Sequence, residues 1–362
     1  DVATLGNHEF DYGMFGCMKA IDMAQYPYVS CNFHHEEEGV CGDNVLDSYK
    51  LFSAGEETIA LIGITTPETI TKTTPAYFQD EMGNFIYGIA GGEDGSELYS
   101  SVQKAIDDAK ATGATKVIAL GHLGDDPASV PWTSEETIAN VTGLHAFIDG
   151  HSHSTVEGKE VADKNGNKVV LTQTGQYFDR IGMMIIDAES GDITTDFIEY
   201  KEILAADGET VEGYELCSDM YERTEMIYDP DVQTIKDAWI AEIDAKLGQK
   251  VGEAAVILDN YDAEGNRMVR GQETNTGDFC ADALYYLFDD LEMDVDISVM
   301  NGGGIRNKAI TGEITYKTCK DIHTFGNVAC LQTVTGQQML DALEWGSRQL
   351  GSGEESGGFL QV

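Results

Sequence analysis

The spacing of apolar residues along the first two hundred positions alternates between two periods. Short runs of β-branched and apolar residues predict strands, and those runs lie at 57–66, 115–126 and 146–154. Over residues 97–113 the apolar positions recur every three to four residues, which predicts a helix that ends at Gly113. Residues 180–200 predict a β-hairpin that turns near 190–192. This succession of strands and helices is typical of an α/β unit.

The pattern weakens near residue 202, where the chain becomes acidic, and then resumes. Residues 231–248 predict an amphipathic helix with Asp231 near its cap and Gly248 at its end. A second α/β unit is predicted to follow, with strands at 252–259 and 295–307 and helices at 276–290 and 335–350. The predicted organisation is a first domain over 1–205, a linker over 206–248 that includes the helix, and a second domain over 249–362.

Composition excludes several classes of function. The 362 residues include 22 Lys and Arg against 64 Asp and Glu, a formal net charge of -42, which argues against binding of a nucleic-acid polymer. No apolar run is long enough to predict a membrane span. The seven cysteines contain no CxxC pair, which argues against a zinc ribbon. The acidic balance favours a solubilising surface, with attraction of divalent cations as the alternative.

Four of the eight histidines lie in glycine-containing segments, three of them at predicted strand ends. Polar residues at strand ends are where α/β proteins bind ligands. The four are His8, His122, His151 and His153. Their imidazoles and the Asn7 carbonyl suit Zn²⁺, Mn²⁺ or a related ion, although a lone histidine is more often a hydrogen-bonded core or loop residue. The remaining histidines, His34, His35, His145 and His323, are predicted to be ordinary surface or loop residues.

The segment "GNHEFDYG" over residues 6–13 places His8 directly after Asn7 and three residues before Asp11. A carboxylate at that spacing can orient an imidazole that stabilises charge on a leaving oxygen. Two divalent ions roughly 3.5–4 Å apart suit the hydrolysis of phosphate esters, because they clamp the attacking and the leaving oxygen.

The second half offers residues suited to an anionic ligand. Arg270 and Arg306 can present a fork of donors to anionic oxygens, although an isolated arginine is more often part of a surface ion pair. The triplet 302–304 is all glycine and permits close approach of backbone to a ligand. Phe325 is by default a core aromatic residue.

Taken in order, "GNHEFDYG", "GHLG" and "GHSHS" resemble the calcineurin-like metallophosphoesterases. The later segments "RGQETNTGD", "NGGGIRN" and "TFGN" narrow this resemblance to the bacterial 5'-nucleotidase/UDP-sugar hydrolase family, from residue 1 to residue 362. The resemblance implies a mixed α/β (α+β) protein. Its first domain would be a metallophosphoesterase β-sandwich flanked by helices, followed by a linker helix and a second α/β, nucleotide-binding domain.

The resemblance also implies roles for individual residues. Asn7, His122 and His151 match the ligands of one of two divalent ions, zinc, manganese or similar, and His153 matches a ligand of the other. His8 and Asp11 match the catalytic dyad. Phe325 matches one half of an aromatic clamp on the base, and Asn327 matches a polar contact to it. The full set of implied substrate-binding residues is Arg270, Asn301, Gly303, Arg306, Phe325 and Asn327.

Two departures from the family pattern shape the expectation. The Asp-x-His and Gly-Asp motifs that supply further ligands in the family do not occur before residue 6, and "GGFLQV" resembles a stretch that continues in the family. We therefore expect an internal fragment, incomplete in both domains, that binds at most one ion and is inactive by itself.

The expected activity belongs to the complete parent protein. It is two-metal-dependent hydrolysis of nucleotide phosphoesters to nucleoside and phosphate, in nucleotide catabolism and salvage. Within the family, 2',3'-cyclic-nucleotide phosphodiesterase/3'-nucleotidase and UDP-sugar hydrolase activities are the alternatives. A catalytically silent surface binding protein is the non-enzymatic alternative. The resemblance and the acidic surface imply an extracytoplasmic location, whether periplasmic, secreted or attached to the cell wall, and the oligomeric state stays open.

Overall fold

The computed structural model describes residues 1–37, 39–206, 211–218, 224–225, 229–325, 327–351 and 356–362. The chain divides into two compact units, Asp1–Ile227 and Tyr228–Val362. The predicted linker over 206–248 stays a prediction, since much of its first part lies outside the described residues.

The strands of the first unit are short and follow one another closely in the chain. In chain order they are β1 (Ala3–Thr4), β2 (Tyr28–Val29), β3 (Phe33–Glu37), β4 (Val40–Asn44), β5 (Tyr49–Ala54), β6 (Glu57–Thr65), β7 (Tyr87–Ile89), β8 (Lys116–His122), β9 (Ala146–Asp149), β10 (Thr155–Ala162), β11 (Lys168–Thr174), β12 (Arg180–Ile186), β13 (Ile193–Leu204), β14 (Val211–Cys217) and β15 (Thr224–Glu225). The helices are α1 (Gly13–Met23), α2 (Thr69–Lys72), α3 (Ser96–Ala111) and α4 (Ser134–Asn140). Single 3-10 turns are formed by His8–Phe10, Pro75–Phe78 and Pro127–Ser129.

The central sheet has six strands in the order β10-β11-β9-β8-β6-β5. Strands β6, β8, β9 and β11 run parallel, whereas β5 and β10 are antiparallel edge strands. The three strands predicted over 57–66, 115–126 and 146–154 are therefore confirmed as neighbours, although the last two end earlier than predicted. Because these strands are parallel, their carboxyl ends lie at one edge of the sheet.

The core of the first unit explains why these segments form strands and helices. Ile62 and Ile64 of β6 and Phe147 of β9 are fully buried in a cluster that also contains Val102 and Ile106 of α3. Burial of one such side chain contributes roughly 1.5–3 kcal/mol. The apolar spacing of α3, with Gly113 just beyond its end, thus reflects the face that covers the sheet.

A second, aromatic core lies beneath the first motif of the chain. Phe10 is fully buried, and its ring centroid is 5.5 Å from that of Phe33 and 5.1 Å from that of Phe78. Leu5 and Cys17 belong to the same cluster. The 3-10 turn His8–Phe10 is thereby anchored by its last residue.

Apart from the parallel pair β1-β2, the rest of the first unit is antiparallel. The predicted hairpin is confirmed as β12 and β13, which pair from Arg180 with Glu199 to Ile186 with Ile193. Strands β14 and β15 extend this sheet in the order β12-β13-β14-β15. Two smaller sheets have the orders β1-β2 and β4-β3-β7.

The second unit is smaller and less regular. Its strands are β16 (Lys250–Leu258), β17 (Met300–Asn301), β18 (Ile310–Thr315) and β19 (Leu360–Gln361), and its helices are α5 (Pro230–Leu247), α6 (Asn275–Asp290), α7 (Tyr316–Ile322) and α8 (Gly336–Gly346). Antiparallel pairs join β16 to β18 and β17 to β19. A small buried cluster consists of Val269, Cys280, Ile305 and Ile322. The α/β class is confirmed for the chain, and the helices predicted over 231–248, 276–290 and 335–350 are present.

Several local predictions need correction. The cap of α5 is Asp229, whose carboxylate accepts hydrogen bonds from two backbone amides, and Asp231 lies near it in the first turn as predicted. No side chain of α5 is buried among the described residues, and Trp239 is 62% exposed. The strand predicted over 295–307 shortens to β17, because Gly302–Gly304 form a 3-10 turn. His34 was predicted to lie at the surface or in a loop, but it is buried in β3 with its Nδ1 3.3 Å from the Asn32 carbonyl.

Candidate functional site

The predicted ion-binding residues meet at the carboxyl edge of the central sheet. His122 is the last residue of β8, and His151 and His153 follow directly after β9. Asn7 precedes the 3-10 turn that begins at His8. The parallel pairing of β8 with β9 brings the two loops together although about thirty residues separate them in the chain.

Asn7, His122 and His151 form a cluster that is called the Asn7 cluster below. The Asn7 Oδ1 atom lies 3.1 Å from His122 Nε2 and 3.2 Å from His151 Nδ1. The centroids of the two imidazole rings are 5.0 Å apart. Asn7 is only 4% exposed. The structure therefore joins three of the predicted ligands around a single oxygen.

Electrostatics keep His122 neutral. Burial is the main cause, followed by the nearby imidazoles of His151, His8 and His153, and together they lower the pKa of His122 to about 3. A neutral imidazole has a nitrogen lone pair to offer to a cation. Protonation of His122 is therefore disfavoured, and its ring nitrogen stays available to an ion.

Gly6 and Gly150 lie against the His122 ring, and their lack of a side chain makes space for it. A side chain at Gly6 would begin 2.9 Å from the ring, and one at Gly150 would begin 3.1 Å from its Nδ1. His151 and His153 adopt left-handed backbone conformations with φ of 80° and 61°. Such conformations cost of order 1–3 kcal/mol each in a residue with a side chain, and they cluster at functional sites.

His8 and Asp11 form the predicted pair. His8 Nδ1 lies 2.8 Å from Asp11 Oδ2, with the His8 side chain 51% exposed and that of Asp11 16% exposed. The turn between them is anchored through buried Phe10. Glu9 has a structural contact instead, because its Oε2 accepts a hydrogen bond of 2.7 Å from the Gly6 amide. The geometry suits an imidazole that a carboxylate orients through Nδ1, and its catalytic role stays a prediction.

Glu68 belongs to the site and was missed by the sequence reasoning. Its Oε2 lies 2.9 Å from His151 Nε2 and accepts a hydrogen bond of 2.8 Å from the Ser129 hydroxyl. Burial acts to raise the pKa of Glu68, but the contacts to His151, Lys72 and Ser129 outweigh it and lower that pKa. The signal was available, since Glu68 follows β6, the parallel neighbour of β8.

Two further carboxylates fasten the loops that carry the histidines. Asp149 is buried and accepts the amides of Leu123 and Gly124 at 2.9 and 3.0 Å. Burial raises the pKa of Asp149. Asp125 accepts hydrogen bonds of 2.6 Å from the hydroxyls of both Ser152 and Ser154. The loop after β8 and the loop after β9 are thus bonded to each other on either side of His151.

The donor set of the Asn7 cluster fits one divalent ion. An amide oxygen and two imidazole nitrogens are suitable ligands for zinc or manganese, and the Asn7 oxygen already lies 3.1 and 3.2 Å from the two nitrogens. Over the part of the chain that the structure describes, no group of three or more His, Cys, Asp or Glu side chains is arranged to hold an ion. His153 lies beside Tyr177, with 6.5 Å between the ring centroids, and its place as ligand of a second ion stays a prediction.

The predicted substrate-binding residues of the second unit gather around a glycine turn. Gly303 donates its amide to the Gly357 carbonyl at 2.8 Å, and its own carbonyl accepts the Arg306 Nε at 2.7 Å. Asn301 donates from Nδ2 to the same Gly357 carbonyl at 3.1 Å. A side chain at Gly357 would begin 3.8 Å from the guanidinium carbon of Arg270. Arg270, Asn301, Gly303 and Arg306 are therefore neighbours.

Phe325 completes this group, which is called the Arg306 cluster below (Arg270, Asn301, Gly303, Arg306 and Phe325). The Arg306 guanidinium carbon lies 4.9 Å from the centre of the Phe325 ring, a cation–π distance. One face of the ring is thus covered by a cation. Asn327 is exposed, and no hydrogen bond among the described residues joins it to the cluster.

Glycine is required where this turn approaches the preceding loop. A side chain at Gly302 would begin 2.0 Å from the Val269 carbonyl oxygen, which no other residue could tolerate without movement of the backbone. This close approach brings the 3-10 turn Met268–Arg270 against Gly302. The glycine triplet was a weak signal by sequence alone, and the contact explains its first member.

Comparison with known proteins finds that the chain is similar to 5'-nucleotidases and to a nucleotide phosphoesterase. Residues 250–362 match the family model of the 5'-nucleotidase C-terminal domain. The whole chain is 26% identical over 393 residues to the trifunctional nucleotide phosphoesterase protein YfkN of Bacillus subtilis, of which it covers 24%. It is 24% identical over 383 residues to human 5'-nucleotidase, of which it covers 60%.

A solved structure supports the fold. The crystal structure of a 5'-nucleotidase precursor from Thermus thermophilus superposes with a TM-score of 0.64 at 24% identity, over 99% of this chain and 64% of that one. The chain thus spans a quarter to about two thirds of the length of these proteins. Among the described residues, no helix is long and apolar enough to cross a membrane.

Proposed function

We propose that this chain, a relative of the 5'-nucleotidases, belongs to an enzyme that uses two divalent ions to hydrolyse nucleotide phosphoesters to nucleoside and phosphate. The observation that carries the proposal is the convergence of Asn7, His122 and His151 at one oxygen, one residue away from the His8–Asp11 pair. Zinc, manganese or a similar ion is proposed, because the donors are one amide oxygen and imidazole nitrogens.

The proposed chemistry divides between binding and proton transfer. Asn7, His122 and His151 would hold one ion, and His153 would contribute to the second. When bound, such ions polarise a phosphoryl oxygen and lower the pKa of a bound water. His8, oriented by Asp11 at Nδ1, would present Nε2 to the leaving oxygen and stabilise the charge that develops there.

Recognition of the nucleotide is assigned to the Arg306 cluster. Arg270 and Arg306 are two of only 22 basic residues in a chain of net charge -42, so long-range attraction of an anion is weak and recognition must act at short range. The face of Phe325 opposite Arg306 is proposed to stack on a base, and stacking of this kind accepts every base. Asn327 is proposed as a polar contact to the base.

Hydrolysis of other phosphoesters is the second candidate, because one relative carries a name that states more than one activity. The matched Bacillus subtilis protein is named trifunctional, which favours a test of several phosphoesters rather than one. The 2',3'-cyclic phosphodiesterase/3'-nucleotidase and UDP-sugar hydrolase reactions need the same ion-binding residues. A catalytically silent binding protein is disfavoured, since the Asn7 cluster and the His8–Asp11 pair retain suitable side chains.

The cellular context is also a proposal. An extracytoplasmic enzyme of nucleotide catabolism and salvage would fit the acidic composition and the named relatives, which include a 5'-nucleotidase precursor. Its small-molecule partner would be the nucleotide.

Phosphate release by the protein that contains this chain is the direct test. Adenosine monophosphate, a 2',3'-cyclic nucleotide and a UDP-sugar are compared with Mn²⁺ or Zn²⁺ and after chelation. We expect phosphate or phosphomonoester release that depends on the ion and is greatest for the nucleoside monophosphate. Absence of ion-dependent hydrolysis of all three substrates would contradict the proposal.

A further inference from the structure

Glu68 contacts the side of His151 that points away from the Asn7 cluster. His151 Nε2 lies 2.9 Å from Glu68 Oε2, while His151 Nδ1 lies 3.2 Å from Asn7 Oδ1. Both partners of the contact are nearly buried, with side chains 10% and 12% exposed. The two ring nitrogens therefore have separate environments, one with a carboxylate and one with the proposed ion-binding atoms.

Among the described residues, the side chains in contact with the Glu68 carboxylate are hydrogen-bond donors. The Ser129 hydroxyl donates to the same Oε2 at 2.8 Å, and Lys72 Nζ lies 3.8 Å from Oε1. An ionised carboxylate can only accept hydrogen bonds. The proton in the contact with His151 must then reside on His151 Nε2. A neutral imidazole protonated at Nε2 has its lone pair on Nδ1, which lies 3.2 Å from the Asn7 oxygen. Both of these atoms are acceptors, so a cation bound by both would satisfy them.

The residues of this arrangement lie on separate elements of the first unit. Glu68 begins the short helix α2 directly after β6, and Ser129 ends the 3-10 turn Pro127–Ser129 that follows β8. His151 follows β9 and adopts the left-handed φ of 80°. The loop after β6 thus contacts the His151 imidazole through Glu68, and the loop after β8 holds Glu68 through Ser129. A contact built from three loops opposes rotation of the ring.

We propose that Glu68 is a positioning residue, which fixes the tautomer and the ring orientation of His151 so that Nδ1 faces the proposed ion. This inference rests on the proposed function for the identity of the ion, although the orientation of the ring can be measured without any ion. Outer partners of ligating histidines typically change metal affinity about 10- to 100-fold when they are removed.

The first readout is the tautomer of His151 in the metal-free chain. Long-range ¹H–¹⁵N spectra are recorded at about pH 8, where an ordinary imidazole is neutral. The His151 signals are assigned with His151→Ala. We expect a single tautomer protonated at Nε2 in the wild type and a mixture of tautomers in Glu68→Leu. Glu68→Gln should largely restore the single tautomer, since its amide oxygen still accepts from Nε2.

The second readout is calorimetric titration with Mn²⁺ alone. We expect binding about 10- to 100-fold weaker in Glu68→Leu, with partial recovery in Glu68→Gln. Glu135→Leu is the matched control, because Glu135 is an exposed carboxylate that pairs with Lys159 at 2.6 Å rather than with a histidine. Ser129→Ala leaves Glu68 in place and should weaken binding by a smaller factor. Circular dichroism confirms that each variant is folded.

The two readouts separate this inference from the proposed function. A Glu68→Leu chain that keeps the single Nε2-protonated tautomer, or that binds Mn²⁺ as tightly as the wild type, would overturn the role of Glu68. A wild type that binds no Mn²⁺ would overturn the proposed ion site, and the tautomer comparison alone would then decide whether Glu68 orients His151.

Discussion

The Asn7 cluster and the Arg306 cluster are built on different supports. The histidines of the first follow parallel strands of a buried sheet, and their loops are joined to each other by side chains such as Asp149 and Asp125. The second lies on a glycine turn that is held mainly by backbone hydrogen bonds, next to a small buried cluster. The difference suggests that bond-breaking chemistry needs fixed atoms, whereas recognition of a flat base tolerates an adaptable surface.

The largest effect is expected from His8→Ala, which should impair catalysis in the first unit without impairing ion binding. In the protein that contains this chain, His8→Ala should lower kcat for a nucleoside monophosphate by about 10²–10⁴-fold, the usual contribution of a positioned acid or base. The metal content should stay at the wild-type level, because His8 is assigned to the pair with Asp11 and not to the ligand set. Steady-state kinetics and mass spectrometry of the metal are measured on the same samples. Complete loss of metal in the variant would instead identify His8 as a ligand.

The support of the Asn7 cluster is tested by Asp149→Ala. This change leaves the amides of Leu123 and Gly124 buried without their acceptor, and an unsatisfied buried group costs roughly 1–3 kcal/mol. We expect a loss of that order in the free energy of unfolding by urea, together with weaker Mn²⁺ binding.

Asp80→Ala is the control for Asp149→Ala. Asp80 also accepts backbone amides, from Met82 and Asn84, but it does so in an exposed turn. Equal destabilisation by both substitutions would show that the loops around His151 are no more tightly fastened than an ordinary surface turn.

The adaptable surface of the second unit is tested by Phe325→Ala. Base–aromatic stacking contributes about 1–3 kcal/mol and does not depend on the base, so KM should rise by similar factors for adenosine, uridine and inosine monophosphates. Hydrolysis of p-nitrophenyl phosphate, which has no base, should barely change. A variant equally impaired on all four substrates would show that Phe325 supports the fold through its contact with Arg306.

The smallest effect concerns a histidine outside both clusters. Burial chiefly, and the charges of Lys116 and Lys110, lower the pKa of His145 below its ordinary 6.5, although the charge of Glu57 opposes this. The unfolded chain therefore binds a proton on this residue before the folded chain does. Stability that is present above about pH 6.5 should be lost as the pH falls through the lowered folded value.

His145→Gln should flatten this part of the pH profile. The free energy of unfolding is measured by urea titration between about pH 7 and pH 5, the range in which an unperturbed histidine takes up its proton. A wild-type stability that rises as the pH falls over this range, or a variant with an unchanged profile, would contradict the assignment.

How much of each site could be predicted from the sequence depends on whether the contacting residues are close together in the chain. The His8–Asp11 pair is separated by three residues, and the structure shows the predicted contact. Asn7, His122 and His151 could be grouped because each lies in a glycine-containing motif and β8 and β9 were predictable as strands of an α/β unit. The proximity of Arg306 to Arg270 was suggested by the family resemblance and not by spacing.

The remaining contacts depend on the order in which the strands pair, which the pattern of apolar and polar residues does not predict. Glu68 meets His151 because β6, β8 and β9 are successive parallel strands of one sheet, and the position of Glu68 after a predicted strand does not by itself reveal that order. His34 was predicted to be an ordinary surface or loop residue because it lies in no glycine-containing motif at a predicted strand end, yet β3 places it against β7 inside a small sheet. The apolar positions of α5 indicated a covered face, but its side chains are not buried in the described structure. Local spacing predicted α5 but not β3, and in these cases tertiary contacts decided the environment of the side chain.

The most direct test of the central claim is titration of the chain with Mn²⁺ or Zn²⁺ by isothermal calorimetry. The account predicts one ion per chain, bound by Asn7, His122 and His151, with binding abolished in His151→Ala. It predicts unchanged binding in His35→Ala, a matched control in which an exposed histidine packs on Tyr87 instead of on the Asn7 cluster. Wild-type affinity in His151→Ala, or two tight sites per chain that are both removed by a chelator, would contradict it.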